Sequence, residues 1–180
     1  MSPRANHLAT LQPDIPVKVL FLCTHNRCRS IIAEAIGRQI GGGLLTVASA
    51  GSEPAGAVHP MALWYLQQHG IATDGLASKS IDSLAFDPDI VITLCDHAAL
   101  ETCPLWLDRT PRVHWGIADP SALVGDDTIC RKAFDDTILL LHARIAWLCE
   151  AIDQGLDHAS LLLLIRTLAH ITPSGSTKAA

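Results

Sequence analysis

Val17-Lys18-Val19-Leu20-Phe21-Leu22-Cys23-Thr24-His25-Asn26-Arg27-Cys28-Arg29-Ser30-Ile31-Ile32 decides the fold. Its first seven residues are nearly all apolar, which suits a strand buried on both faces of a parallel sheet. From Ser30 to about Ile40, the residues Ile31, Ile32, Ala35, Ile36 and Ile40 recur at helical spacing, and Gly41-Gly42-Gly43 ends the segment. Strand, short loop and helix in direct succession are the start of a βαβ unit.

The alternation continues downstream. Residues 44–49 read as a second strand, Pro54 and Gly56 mark a loop, and Met61, Leu63, Trp64 and Leu66 form a second helix that stops at Gly70. Residues 90–95 (IVITLC) and about 112–115 give a third strand and a short fourth. From about 126 to 152, Ala133, Ile138, Leu141, Ile145, Leu148 and Ile152 fall on one stripe of a long amphipathic helix expected to cover one face of the sheet. Residues 158–171 predict an additional helix, which either covers the core or contacts a second copy. The fold class is therefore α/β: a four-stranded parallel sheet flanked by helices, with an extra C-terminal helix. Residues 1–16 are expected to be a leader, 17–153 the domain, and 154–180 the additional helix and a flexible tail.

A chain of 180 residues fits one core, and 49% hydrophobic against 17% charged residues excludes global disorder. A net charge of −5, with 13 Lys and Arg spread thinly, gives no footprint for nucleic acid. The longest apolar runs fall far short of the roughly 20 residues of a membrane helix. Residues 1–16 hold no apolar signal core, so six cysteines point to a reducing cytoplasm, where thiols act chemically more often than they cross-link.

Chemistry concentrates in the loop Cys23-x5-Arg29-Ser30. Thr24, His25, Asn26, Arg27, Cys28 and Arg29 wrap onto a helix N-terminus, where unpaired amides and the helix dipole converge on a tetrahedral anion. Arg29 adds a planar fork for two of its oxygens. The same field stabilises a thiolate at Cys23, making it a nucleophile, and Ser30 is placed to hydrogen-bond the sulfur or a leaving group. Cys28 is read as a bystander within the loop, and Cys130 and Cys149 as core cysteines of the long helix.

Strands of an open α/β sheet present their carboxyl ends on one rim, so Cys95, after the third strand, should meet Cys23 there. Cys95 and Cys103 could pass a disulfide onward by thiol exchange, or join His97 and His114 in a zinc site, although the usual close Cys pair is missing. Asp119, after the fourth strand, is expected to be a general acid whose carboxyl is raised by desolvation beside Trp115 or Trp106.

The loop with Ala33-Glu34-Ala35, then Ser49-Ala50-Gly51, Thr93-Leu94-Cys95 and His114-Trp115-Gly116 through Asp119-Pro120, resembles the arsenate reductases built on the low-molecular-weight protein tyrosine phosphatase fold. The resemblance covers about residues 17–150 and implies a phosphotyrosine phosphatase I-like architecture. It implies Cys23 as nucleophile, Arg29 and the loop amides as oxyanion holders, Ser30 as thiolate support, Asp119 as acid, Cys95 as resolving thiol and Cys103 as the last thiol of a relay. It further implies arsenate as substrate, no bound cofactor, and thioredoxin, glutaredoxin or a low-molecular-weight thiol as external reductant, in a cytoplasmic monomer or weak dimer. A potassium site in some relatives would fall here on Asn26, Glu34, Ser49 and Asp82. His25 and Arg27 replace the small residues of many relatives. Ser121-Ala122 replaces the paired tyrosines of the phosphatases, which, with a non-catalytic arsenic- or oxyanion-binding protein, remain the alternative readings.

Overall fold

The computed structural model describes residues 15–100, 109–123 and 126–171. Cys103 and Trp106 lie outside the described residues, as do most of the leader and the tail. In chain order the elements are β1 (Val17–Leu22), α1 (Arg29–Ile40), β2 (Leu45–Ala50), α2 (Pro60–Gln68), β3 (Ile90–Thr93), α3 (Asp96–Leu100), β4 (Arg112–His114), α4 (Asp127–Asp153) and α5 (His158–Leu168). The strands form a parallel sheet in the order β2-β1-β3-β4, as the alternating pattern predicts.

Period-two alternation along each strand sorts the core into two layers. Val17, Val19 and Phe21 of β1, with Ile90 and Ile92 of β3, face the larger layer beneath α1, α2, α4 and α5. Leu20, Leu22 and Val91 face the opposite way and are covered by Ile81, Leu84 and Phe86, around a single 3-10 turn at Ile81–Ser83. Burying a side chain such as Phe21, fully enclosed here, stabilises by about 1.5–3 kcal/mol. β3 stops at Thr93, two residues earlier than its apolar run suggests, because the chain turns into α3. The sulfur of Cys95 accepts the Ala98 amide at 3.4 Å, as a capping side chain does.

The C-terminal segment belongs to the same core. Leu161, Ile165 and Leu168 of α5 are buried, and the indole of Trp115 donates to the Ile165 carbonyl at 2.9 Å. Arg144 of α4, 3% exposed, donates to the Trp115 carbonyl at 2.8 Å and to the carbonyls of Ala169 and Ile171 at 2.9 and 3.0 Å. Its guanidinium lies 5.4 Å from the Trp115 ring centroid. Burial lowers Arg144 to about 10, which still leaves it charged at neutral pH beside the negative end of α5. Trp115, β4 and α5 are thereby clamped together. Among the described residues, no helix is long and apolar enough to cross a membrane.

Candidate active site

Parallel register sets the site on one rim. Leu22 aligns with Ala50 of β2 and Thr93 of β3, and Thr93 with His114 of β4, so the chain leaves all four strands side by side. Cys23, Gly51, Cys95 and the segment from Trp115 to Asp119 follow those four ends.

The loop from Cys23 to Arg29 is held from outside. The carbonyls of Thr24, His25 and Arg27 accept the amides of Glu53, Ala55 and His59 at 2.9, 3.0 and 2.8 Å. Turning these carbonyls outward leaves the amides of Thr24 through Arg29 without a backbone acceptor among the described residues, which is the arrangement of an anion-binding nest. Asn26 sits at the turn with φ of 42°, the only described residue other than glycine at positive φ. Its buried side chain secures that conformation: Oδ1 accepts the Lys79 amide at 2.6 Å, and Nδ2 donates to Ser30 and Ser49 at 2.8 Å each.

Cys23 and Ser30 meet at 2.9 Å between Sγ and Oγ. Because the Ser30 oxygen already accepts from Asn26, its own hydrogen is free to point at the sulfur and stabilise a thiolate. Cys23, Cys95 and Ala98 form one buried cluster, and Thr24 Oγ1 lies 3.4 Å from Cys95 Sγ. The sequence expectation that Cys23 and Cys95 end on the same rim is thus met, with both in that cluster, whereas Cys103 lies outside the described residues. Cys28 is 2% exposed and packs its side chain in the main core. Burial, with the charges of Asp119 and Cys23, pushes Cys28 up to about 12 against the pull of Ser121 and Arg29, so it stays a thiol. Only its backbone can serve an anion in the loop.

Arg29 connects the loop to Asp119. Its Nη1 donates to the Ile117 carbonyl at 2.9 Å and its Nη2 to Asp119 Oδ2 at 3.0 Å, while its buried Nε has no partner among the described residues. An oxyanion oxygen bound in the nest would satisfy that donor. Asp119 Oδ1 accepts both the amide and the hydroxyl of Ser121, at 2.9 and 2.6 Å.

The expected upward shift of Asp119 is corrected here. Burial does push the carboxyl up, but the Ser121 hydroxyl, the Arg29 charge, the Ser121 amide and Arg27 together outweigh it and hold Asp119 below the ordinary value. Trp115 does not supply an apolar wall, since its ring packs against Phe21 at 6.2 Å and its N–H is committed to α5; Trp106 lies outside the described residues. A depressed folded value stabilises the protein above the ordinary carboxylate range, and that contribution is lost as pH falls through the lowered value. The melting-temperature gap between the native chain and Asp119→Asn should therefore be largest near neutrality and close below about pH 4. Partial exposure keeps it to about 1 kcal/mol or less. A gap that widens in acid would contradict the ion pair.

The zinc reading gains no geometry. His114 is bonded on both ring nitrogens, to Thr93 Oγ1 at 2.9 Å and Asp96 Oδ1 at 3.1 Å. Among the described residues, no three His, Cys, Asp or Glu side chains converge as metal ligands. The set that the resemblance assigns to potassium is only partly assembled. Asn26, Ser49 and Glu34 are joined by hydrogen bonds, but Asp82 is exposed, and its bond runs from its amide to Ser80. Sequence reading missed Glu53, His59, Lys79 and Ser121, whose roles rest on contacts between loops with no periodicity to expose them. For Ser121 a signal existed, since Asp-Pro-Ser is the pattern of a side-chain-capped turn.

Known proteins share this sequence pattern and this fold. A family model described as low molecular weight phosphotyrosine protein phosphatase matches residues 18–157. An arsenate reductase from Halalkalibacterium halodurans is 42% identical over 110 residues, which span 61% of this chain and 78% of that protein. Among solved structures, an arsenate reductase in a phosphate-binding state matches with a TM-score of 0.60 at 29% identity, covering 76% of this chain and 98% of that one. The thioredoxin-dependent arsenate reductase of Corynebacterium glutamicum matches with a TM-score of 0.57 at 28% identity, covering 79% and 64%. Matched by that family model over most of its length and built on this four-stranded parallel sheet, the chain belongs to the low molecular weight phosphotyrosine protein phosphatase family.

Proposed function

We propose that this chain reduces arsenate to arsenite at Cys23, with Cys95 as the resolving thiol and Cys103 as the last thiol of the relay. The observation that carries the reading is the burial of Cys23 and Cys95 in one cluster at the mouth of an anion loop. Hydrolysis of a phosphate ester requires only the first of these thiols. Reduction requires the second, and relatives named arsenate reductase are 42% identical to this chain over 110 residues and 41% over 104.

Atoms and electrons balance as follows. The Cys23 thiolate forms a bond to arsenic, and a hydroxyl leaves as water after protonation. Asp119 is ionised in the resting ion pair, so it must first gain a proton. Arsenate entering the nest draws Arg29 toward its own oxygens and places a second anion beside Asp119, which raises the affinity of that carboxylate for the proton arsenate carries in. The Cys95 thiolate then attacks Cys23 Sγ; a sulfur–sulfur bond forms as the sulfur–arsenic bond breaks. The bonding pair stays on arsenic, which leaves as arsenite. Cys103 attacks Cys95 and frees Cys23, and an external thiol, from thioredoxin, glutaredoxin or a small thiol, reduces the Cys95–Cys103 disulfide.

Fully reduced protein mixed with arsenate, with no external reductant, should release about one arsenite per chain, with two thiols lost and a Cys95–Cys103 bridge found by mass spectrometry. Intact thiols and no arsenite, under conditions where a small aryl phosphate is hydrolysed, would make the chain a phosphatase. Stoichiometric arsenic binding without release would make it a binding protein.

A further inference from the structure

Glu34 is a carboxylate on α1 with 1% exposure, and none of the chemistry above uses it. Both its oxygens are engaged. Oε1 takes the guanidinium of Arg38, and Oε2 takes the Ser49 hydroxyl together with the Lys79 ammonium, at 2.8 Å for the latter. From Ser49 the bonds run through Asn26 Nδ2 to Ser30 and so to the Cys23 sulfur. Each donor in this chain is committed in one direction, toward the carboxylate on one side and toward the sulfur on the other.

A potassium ion does not fit here. It would need the oxygens of Glu34, Ser49 and Asn26 as ligands. The place of such an ion is taken, because the Lys79 ammonium is already seated on Glu34 Oε2 at 2.8 Å, beside the Ser49 hydroxyl that donates to the same oxygen. We propose that the Lys79 ammonium is a covalently attached replacement for a bound monovalent cation, and that it acts as a positioning residue for the Cys23 loop through Glu34, Ser49, Asn26 and Ser30.

The backbone delivers Lys79 to this place. Gly51, just after β2, bridges in parallel to Ser80, with its amide on the Lys79 carbonyl and its carbonyl accepting the Ile81 amide, both at 2.9 Å. Lys79 thus meets the loop by its amide at Asn26 and α1 by its ammonium at Glu34. Without that ammonium, a buried carboxylate would be left with Arg38, whose side chain is 42% exposed, as its sole cationic partner, and the hydrogen-bond chain would lose its anchor.

The test reads the loop itself and is independent of whether arsenate is the substrate. The rate at which iodoacetamide alkylates Cys23 at pH 7, resolved from the other thiols by mass spectrometry, is compared in potassium chloride and choline chloride at equal ionic strength. The native chain should react within about twofold in the two salts, whereas Lys79→Met should be about tenfold slower in choline and recover in potassium. Reaction of the native chain more than about twofold faster in potassium than in choline would overturn the proposal, and that measurement requires no variant to fold. So would a Lys79→Met rate equal to the native rate in choline, or one equally slow in both salts.

Discussion

Replacing Cys95 with serine should lower arsenite release with thioredoxin as sole reductant by about a thousandfold or more, while phosphate or arsenate still shields Cys23 from alkylation as in the native chain. The two steps separate because they use different parts of the rim. Anion capture rests on the amides of residues 24–29, on Arg29 and on the outward bracing by Glu53, Ala55 and His59, none of which involves Cys95. Release of arsenite needs a second sulfur to take the Cys23 sulfur away from arsenic. A serine hydroxyl in the same place, 3.4 Å from Thr24 Oγ1 in the native geometry, is too weak a nucleophile toward sulfur at neutral pH. Multiple turnovers by Cys95→Ser with thioredoxin alone would remove Cys95 from the relay. Loss of the anion's protection would instead make Cys95 a structural support of the loop.

What could be read from the chain before its fold was known divides along a physical line. β1, α1 and the Cys23–Ser30 loop were legible because each is local: an apolar run, a helical repeat and a spacing of seven residues carry their own signal. The meeting of Cys23 with Cys95, 72 positions apart, was legible because parallel sheets gather strand ends on one rim. Helix α3 was not, since five residues hold no period. Asp119 was placed correctly but its ionisation was misjudged. An aromatic four residues away in sequence suggested a desolvating wall, yet Trp115 turns into the core toward α5, and the groups that hold the Asp119 carboxyl down are Ser121, two residues on, and then Arg29, from the far side of the chain. Lys79 sits in a polar Ser-Lys-Ser stretch where nothing distinguishes it from a solvated surface lysine until Gly51 pairs with Ser80.

Gly51→Ala should slow every reaction of Cys23 by about a hundredfold without unfolding the protein. A Cβ at this position would stand 2.4 Å from the Thr24 carbonyl oxygen and 2.9 Å from both the Asn26 nitrogen and the Cys23 oxygen. All three are backbone atoms, so no side chain can swing aside, and reaching ordinary contact near 3.4 Å means moving the loop or the end of β2 by about 1 Å. Moving β2 carries Lys79 with it, through the Gly51–Lys79 and Ile81–Gly51 bonds, and pulls the Lys79 amide from Asn26. Moving the loop turns its amides off the point where the anion sits. Either route spoils a donor geometry whose value depends on about half an ångström, at a stability cost of only about 1–3 kcal/mol, as for other overpacked sites. Gly43→Ala is the control, because a Cβ there meets nothing within 4 Å. Alkylation of Cys23 at the native rate in Gly51→Ala, with far-ultraviolet circular dichroism unchanged, would show that the rim is plastic and that the loop is not held by its approach to β2.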